Sequence, residues 1–285
     1  MKLLRYGDPG AERPGLLDTA GRIRDLSAHI DDVDGNSLIP EMLAKLRALD
    51  PESLPLVEGQ PRLGSCIARP GKFVAIGLNF SDHAAEAGAP IPEEPIVFYK
   101  TDTSMCGPND DIVQPPGSTK LDWEAEIAIV IGSKAQYLNE EAAARAIAGY
   151  CVVNDVSERS FQIDRGGSQW SKGKGCDTFG PTGPWLVTAD EIDDVQNLGM
   201  WLDVNGKRMQ TGNTSKMIFG CVYLVSYLSH YMTLMPGDII TTGTPPGVAL
   251  GYDDPPWLQP GDVVTLGIDG LGEQRQTIVA WSAPE

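Results

Sequence analysis

The sequence predicts an α+β protein: a small N-terminal α/β module over residues 1–65, then a rolled, barrel-like mixed β domain over 66–285. Three observations predict it. Strand signals outnumber helix signals after residue 66. Strands and helices do not alternate regularly, which argues against a doubly wound parallel sheet. The stretch DPESLPLVEGQP, residues 50–61, has the composition of a linker. A length of 285 residues suits one large domain with an appendage.

In chain order, residues 2–6, 15–18 and 22–26 read as short strands joined by Gly/Pro/Asp turns, and Ser37 as the cap of a helix running to Ala48. Apolar strands resume at Cys66-Ile67 and 73–76, and continue at 96–99, 124–131, 150–154, 185–188, 200–204, 238–242, 263–268 and 276–281. Asn205-Gly206 is a two-residue hairpin turn. Helices are expected at 140–148, closed by Gly149, and after Thr214, with a short turn near 158–165. The uncharged run MIFGCVYLVSYLSHYMTLM, residues 217–235, is long enough to span a membrane. Its Ser226, Ser229, His230 and Thr233 fall on one helical stripe, however, so a packed helix of a soluble protein is expected, ended by Pro236-Gly237-Asp238.

A net charge of −17 argues against nucleic acid or an anionic membrane surface as partner, and a small anionic substrate would need a local cationic pocket. The five cysteines (66, 106, 151, 176, 221) include no C-x-x-C pair, so neither a disulfide framework nor a zinc ribbon is indicated. MKLLRYGDPG lacks the apolar run of a signal peptide, and a reducing, cytoplasmic location is expected.

The strand LDWEAEIAIVIG, residues 121–132, carries the chemistry-bearing anomaly. Side chains alternate, so Asp122, Glu124, Glu126, Ala128 and Val130 share one face, and both faces are apolar downstream. Two ionised carboxylates on a buried face need compensation. Either the face opens on water, or one carboxyl stays protonated, or a cation sits between them. Hard oxygen donors suit Mg²⁺ or Mn²⁺. Asp155 ends the apolar strand YCVVND and is either a turn residue or a third ligand. In GLNFSDHAAE, His83 and Glu86 lie three apart on a helical turn, as an exposed pair or as a carboxylate-supported base. The AGAPIPEEP that follows suits a lid or an idle loop. Lys100, and Lys172 and Lys174 among glycines in SQWSKGKGCDTFGPTGPW, are solvated or anion-binding. TTGTPPGV, residues 241–248, offers hydroxyls and amides to a carboxylate or is a plain turn; it is no P-loop.

Seven ordered motifs, GLNFSDHAAE, EPIVFYK, LDWEAEIAIVIG, CVVNDVSER, SKGKGCDTFGP, GNTSKMIF and PGDIITTGTPPGV, make residues 70–281 resemble the fumarylacetoacetate hydrolase family. The resemblance implies a mixed β-roll holding Mg²⁺ or Mn²⁺ on Glu124, Glu126 and Asp155, and His83 with Glu86 as a water-activating pair on a lid. It implies Lys174 as the lysine stabilising the transition state, Thr244 as a substrate-carboxylate contact, and Lys100 and Gln162 as further substrate-side groups. It also implies a homodimer and a small anionic 2,4-dioxo acid as substrate. The N-terminal module resembles that of bacterial members hydrolysing 2,4-dioxo-3-deoxy sugar acids such as 2,4-diketo-3-deoxy-L-rhamnonate, and that of members called ureidoglycolate lyases. Expected chemistry is C3–C4 cleavage to pyruvate and a hydroxy acid such as lactate. The rivals are an oxaloacetate-type decarboxylase or tautomerase, a ureidoglycolate lyase, and a catalytically silent metal-binding protein.

Overall fold

The computed structural model describes residues 1–86, 88–165, 167 and 169–283. Ala87, at the head of the lid-like AGAPIPEEP, and Ser168, at the head of SQWSKGKG, lie outside the described residues, as does the end of the domain expected over 66–285.

A ten-stranded mixed sheet organises the chain. Its order is Ile23–Asp25, Arg13–Leu17, Lys2–Tyr6, Gly180–Thr188, Ile147–Asn154, Ala125–Ile131, Ile239–Thr241, Phe73–Gly77 and Ile96–Lys100, with Met105–Cys106 beside Gly180–Thr188. A five-stranded sheet runs Lys207–Asn213, Gly199–Val204, Val263–Ile268, Gly272–Ala280 and Ile112–Gln114. The large sheet ends on two edge strands, so among the described residues the expected barrel-like roll stays open. The mixed α+β architecture is as expected.

The N-terminal strands join this sheet, Lys2 pairing with Val187 and Leu3 with Leu186. The period-two pattern of the Ala125–Ile131 strand explains the packing on either side. Ile127, Ile129 and Ile131 face a core shared with Leu202, Val264, Leu266 and helix Cys221–Ser229. Ala128 and Val130 face the opposite core, which Leu26, Val33, Leu38 and Leu46 cover from the N-terminal segment.

Several local expectations change. Ser37 does not cap the first helix: its hydroxyl donates to the Asp34 carbonyl, and the helix starts at Pro40, whose fixed φ suits a first turn. Cys66-Ile67 is a buried bend rather than a strand. The helix expected to reach 148 ends at Arg145, and Ile147–Asn154 is a strand. Gly149 therefore closes no helix. A β-carbon there would lie 2.1 Å from the Val187 carbonyl oxygen, so the glycine allows two central strands to approach. The uncharged run 217–235 contains only the nine-residue helix Cys221–Ser229, and no helix among the described residues is long and apolar enough to cross a membrane. Its polar stripe has a packing role: Ser226 donates to the Leu138 carbonyl and Ser229 accepts from the Leu138 amide.

Candidate active site

The register of two antiparallel strands brings the acids together. Glu126 pairs with Val153 and Ala125 with Asn154, and the Asp155 amide donates to the Glu124 carbonyl at 2.8 Å. Cys151 and Val153 belong to the same core as Ala128 and Val130, so Asp155, the next residue on that face, emerges beside the glutamates. One oxygen from each of Glu124, Glu126 and Asp155 lies within 4.8 Å of the others.

The carboxylates are buried, which rules out a solvated strand face: Glu124 is 7% exposed, Glu126 1% and Asp155 0%. Glu124 is heavily compensated. It accepts from Arg159 Nη2 at 2.6 Å and from Lys174 Nζ at 2.6 Å. Burial would raise its carboxyl, but Lys174 and Arg159 outweigh burial and hold it at about 2. Asp155 accepts from Lys100 Nζ at 2.6 Å and Lys174 Nζ at 2.8 Å. Asp155 and Glu124 in turn raise the Lys174 ammonium against burial, which alone would lower it. Glu126 has only the Gly243 amide, at 2.9 Å, as hydrogen-bond partner among the described residues. Burial first, then the charges of Asp155 and Glu124, push its carboxyl well above the usual range. An oxygen-donor cluster with one poorly compensated carboxyl fits a hard divalent cation.

Glu124, Glu126, Arg159 and Lys174 form the floor of a cavity of about 440 Å³, and Asp155 meets them without itself lining it. His83 and Glu86, on the short helix Ser81–Glu86, line it as well. His83 Nδ1 lies 3.0 Å from Glu86 Oε2, and Glu86 also accepts from the Gly247 amide at 3.0 Å. With the carboxylate accepting from Nδ1–H, Nε2 keeps a lone pair for a proton. Trp170 packs against Gly77, where a β-carbon would sit 2.0 Å from its ring, and edge-on to Phe98 at 5.4 Å.

Gln162 lines the cavity and accepts from Arg159 Nη1 at 2.9 Å. Thr244 lines it too, but its hydroxyl donates to the Ala125 carbonyl and accepts from Gln210 Nε2. In this arrangement its one proton is already committed. Lys100 is not among the lining residues; it sits behind Asp155, with its ammonium on Asp155 Oδ1 and the Lys174 carbonyl. Burial lowers its ammonium, against the opposing pull of Asp155. Lys172 is exposed and donates to the Arg165 carbonyl. Arg159, inside CVVNDVSER, has no role in the sequence reading, yet it spans Asp122, Glu124 and Gln162. Asp122 in turn accepts from the amides of Ala249 and Leu250, fixing a loop of the cavity wall.

The Fumarylacetoacetate (FAA) hydrolase C-terminal family matches residues 72–279, which contain every one of these groups. The chain belongs to this family. A Burkholderia multivorans relative, whose name gives a hydrolase without a substrate, is 61% identical over 277 residues, covering 97% of this chain and 98% of its own. The Exiguobacterium antarcticum fumarylacetoacetate hydrolase structure is 31% identical with a TM-score of 0.85, over 99% of this chain and 100% of that one. A maleylpyruvate hydrolase from Sphingobium sp. SYK-6, in complex with manganese(II) and pyruvate, is 27% identical with a TM-score of 0.82 and the same coverage. The 2-hydroxyhepta-2,4-diene-1,7-dioate isomerase of Mycobacterium marinum is 30% identical with a TM-score of 0.74, again over 99% and 100%.

Proposed function

We propose that this enzyme is a divalent-metal-dependent hydrolase that cleaves the C–C bond of an acylpyruvate, a 2,4-dioxo acid, to pyruvate and a second acid. The observation that carries the reading is the convergence of Glu124, Glu126 and Asp155 beneath a cavity that His83 and Glu86 also line. The manganese and pyruvate of the Sphingobium maleylpyruvate hydrolase support it.

Glu124, Glu126 and Asp155 would hold Mg²⁺ or Mn²⁺, which would supply Lewis-acid polarisation at the 2-oxo acid end. His83 Nε2 takes a proton from water as the oxygen adds to C4, and Glu86 supports the imidazolium that forms. The C3–C4 bond then breaks, its electron pair passing to the pyruvoyl half, and the proton returns to C3. Lys174 and Arg159 supply positive charge where negative charge develops. Lys100 acts as a positioning residue by fixing Asp155 and the Lys174 backbone. Thr244 and Gln162 contribute to the substrate end of the wall.

The proposal extends to the acyl group: a 2,4-dioxo-3-deoxy sugar acid such as 2,4-diketo-3-deoxy-L-rhamnonate, giving lactate. Residues 1–65 would form a module backing the central sheet, in a cytoplasmic homodimer. An isomerase, tautomerase or decarboxylase is the second reading, supported by the Mycobacterium marinum isomerase, and it would use the carboxylates without adding water.

Product analysis separates the two. With Mn²⁺ present, 2,4-dioxo acids are expected to give pyruvate and the matching acid in equal amounts. Carbon dioxide from oxaloacetate, or an isomer of unchanged mass, with no acylpyruvate cleaved, would overturn hydrolysis.

A further inference from the structure

The lysine and arginine of the cavity lining lie at its floor. That floor is buried, with Glu126 1% exposed and Lys174 2%, whereas Leu250 at 44% and Ile163 at 42% mark an open, apolar mouth. Both strong cations of the described lining, Lys174 and Arg159, are bonded to carboxylates at the floor. Beyond His83 and Glu86, the remaining charged lining residue is Asp253, exposed beside Tyr252. It forms no ion pair among the described residues. Arg165 and Lys172, two residues along the chain from the lining residues Ile163 and Trp170, do not line the cavity: Arg165 lies over the Phe161 ring and Lys172 on the Arg165 carbonyl.

A substrate whose 2-oxo acid end meets the floor must point its acyl end at this mouth. A second carboxylate there would meet apolar side chains and a like charge, and among the described residues no lysine or arginine lines the cavity besides Lys174 and Arg159 at the floor. A hydroxyl would instead find an acceptor. We infer that Asp253 is a specificity-determining residue that disfavours dicarboxylic acylpyruvates and accepts a hydrogen bond from a hydroxyl on an uncharged acyl group. This rests on the hydrolase reading above, and it sets this cavity apart from one built for a dioate.

The test compares fumarylpyruvate, whose acyl half ends in a carboxylate, with a 2,4-dioxo acid of similar length ending in a hydroxyl. Wild-type enzyme with Mn²⁺ is expected to favour the hydroxyl substrate by about tenfold or more in kcat/KM, the size of a like-charge contact partly screened by water. Asp253→Asn should narrow that ratio by about tenfold. Asp254→Asn, which removes the same charge from an exposed neighbour outside the lining, should leave the ratio at its wild-type value. An equal or reversed preference in the wild type overturns the inference, as does a ratio unmoved by Asp253→Asn or moved equally by Asp254→Asn. Turnover of neither acid would overturn the hydrolase reading, and this inference with it, whereas brisk turnover favouring fumarylpyruvate would overturn this inference alone.

Discussion

His83→Asn is expected to lower acylpyruvate cleavage by roughly 10²-fold or more, as is usual when a general base is lost. Oxalate affinity, measured by calorimetry with Mg²⁺ present, should meanwhile stay within about 1 kcal/mol of wild type, less than a tenfold change. The two readouts separate because the groups are separate. Oxalate matches the planar, two-oxygen end of the substrate and needs the carboxylate floor and its cations. His83 bonds Glu86 on another wall of the cavity, and Glu86 is tied to the Gly247 amide. Joint loss of oxalate binding and activity would make His83 a ligand or a structural residue, and the water-activating role would be wrong.

Arg159→Met should destabilise the metal-free protein by roughly 3 kcal/mol or more, the usual cost of removing one partner from a buried ion pair. The side chain is 5% exposed and contacts Asp122, Glu124 and Gln162 at 2.8, 2.6 and 2.9 Å. Methionine fills the space but leaves Asp122 with backbone amides alone and Glu124 with Lys174 alone. Arg159→Lys should recover only part of the loss, since a single ammonium cannot reproduce the planar fork across both carboxylates. An unfolding free energy from chemical denaturation that falls by less than about 1 kcal/mol would show that Arg159 does not hold the cluster together.

How far the site was legible follows from which interactions are local. Glu124 and Glu126 stand out because a strand repeats every two residues, so two acids on the face of Ala128 and Val130 conflict with the buried pattern around them. His83 and Glu86 are one helical turn apart, and the predicted contact is present at 3.0 Å. The meeting of Asp155 with the glutamates is not local. It depends on Glu126 lying opposite Val153, a register that neither strand encodes alone. Arg159 was overlooked for the same reason: its partners Asp122 and Glu124 lie 37 and 35 residues earlier. Family resemblance, rather than spacing, brought Asp155, Lys174 and Thr244 together in the sequence reading.

The fold shows the same division. Period-two strands and the Asn205-Gly206 hairpin were readable, and Val204–Lys207 pairing closes that hairpin as expected. The helix boundary at 148 was not, because EEAAARAIAG has good helix formers up to the point where Ile147 and Gly149 pair with the neighbouring strand. Tertiary pairing overrides propensity there. The placements of Lys100 and Thr244 depend on hydrogen bonds that only the folded chain shows: one ammonium committed to Asp155, one hydroxyl to the Ala125 carbonyl.

The central claim is that the three acids bind a divalent cation, and thermal unfolding with and without Mn²⁺ tests it most directly. A cation bound only by the folded protein raises the melting temperature, by more at higher concentration. Wild-type protein should show that rise. Glu126→Gln keeps the shape while removing the carboxyl that Asp155 and Glu124 crowd, so the metal-free variant should melt no lower than wild type and gain much less from Mn²⁺. A rise as large in Glu126→Gln as in wild type, or none in wild type, would contradict the account.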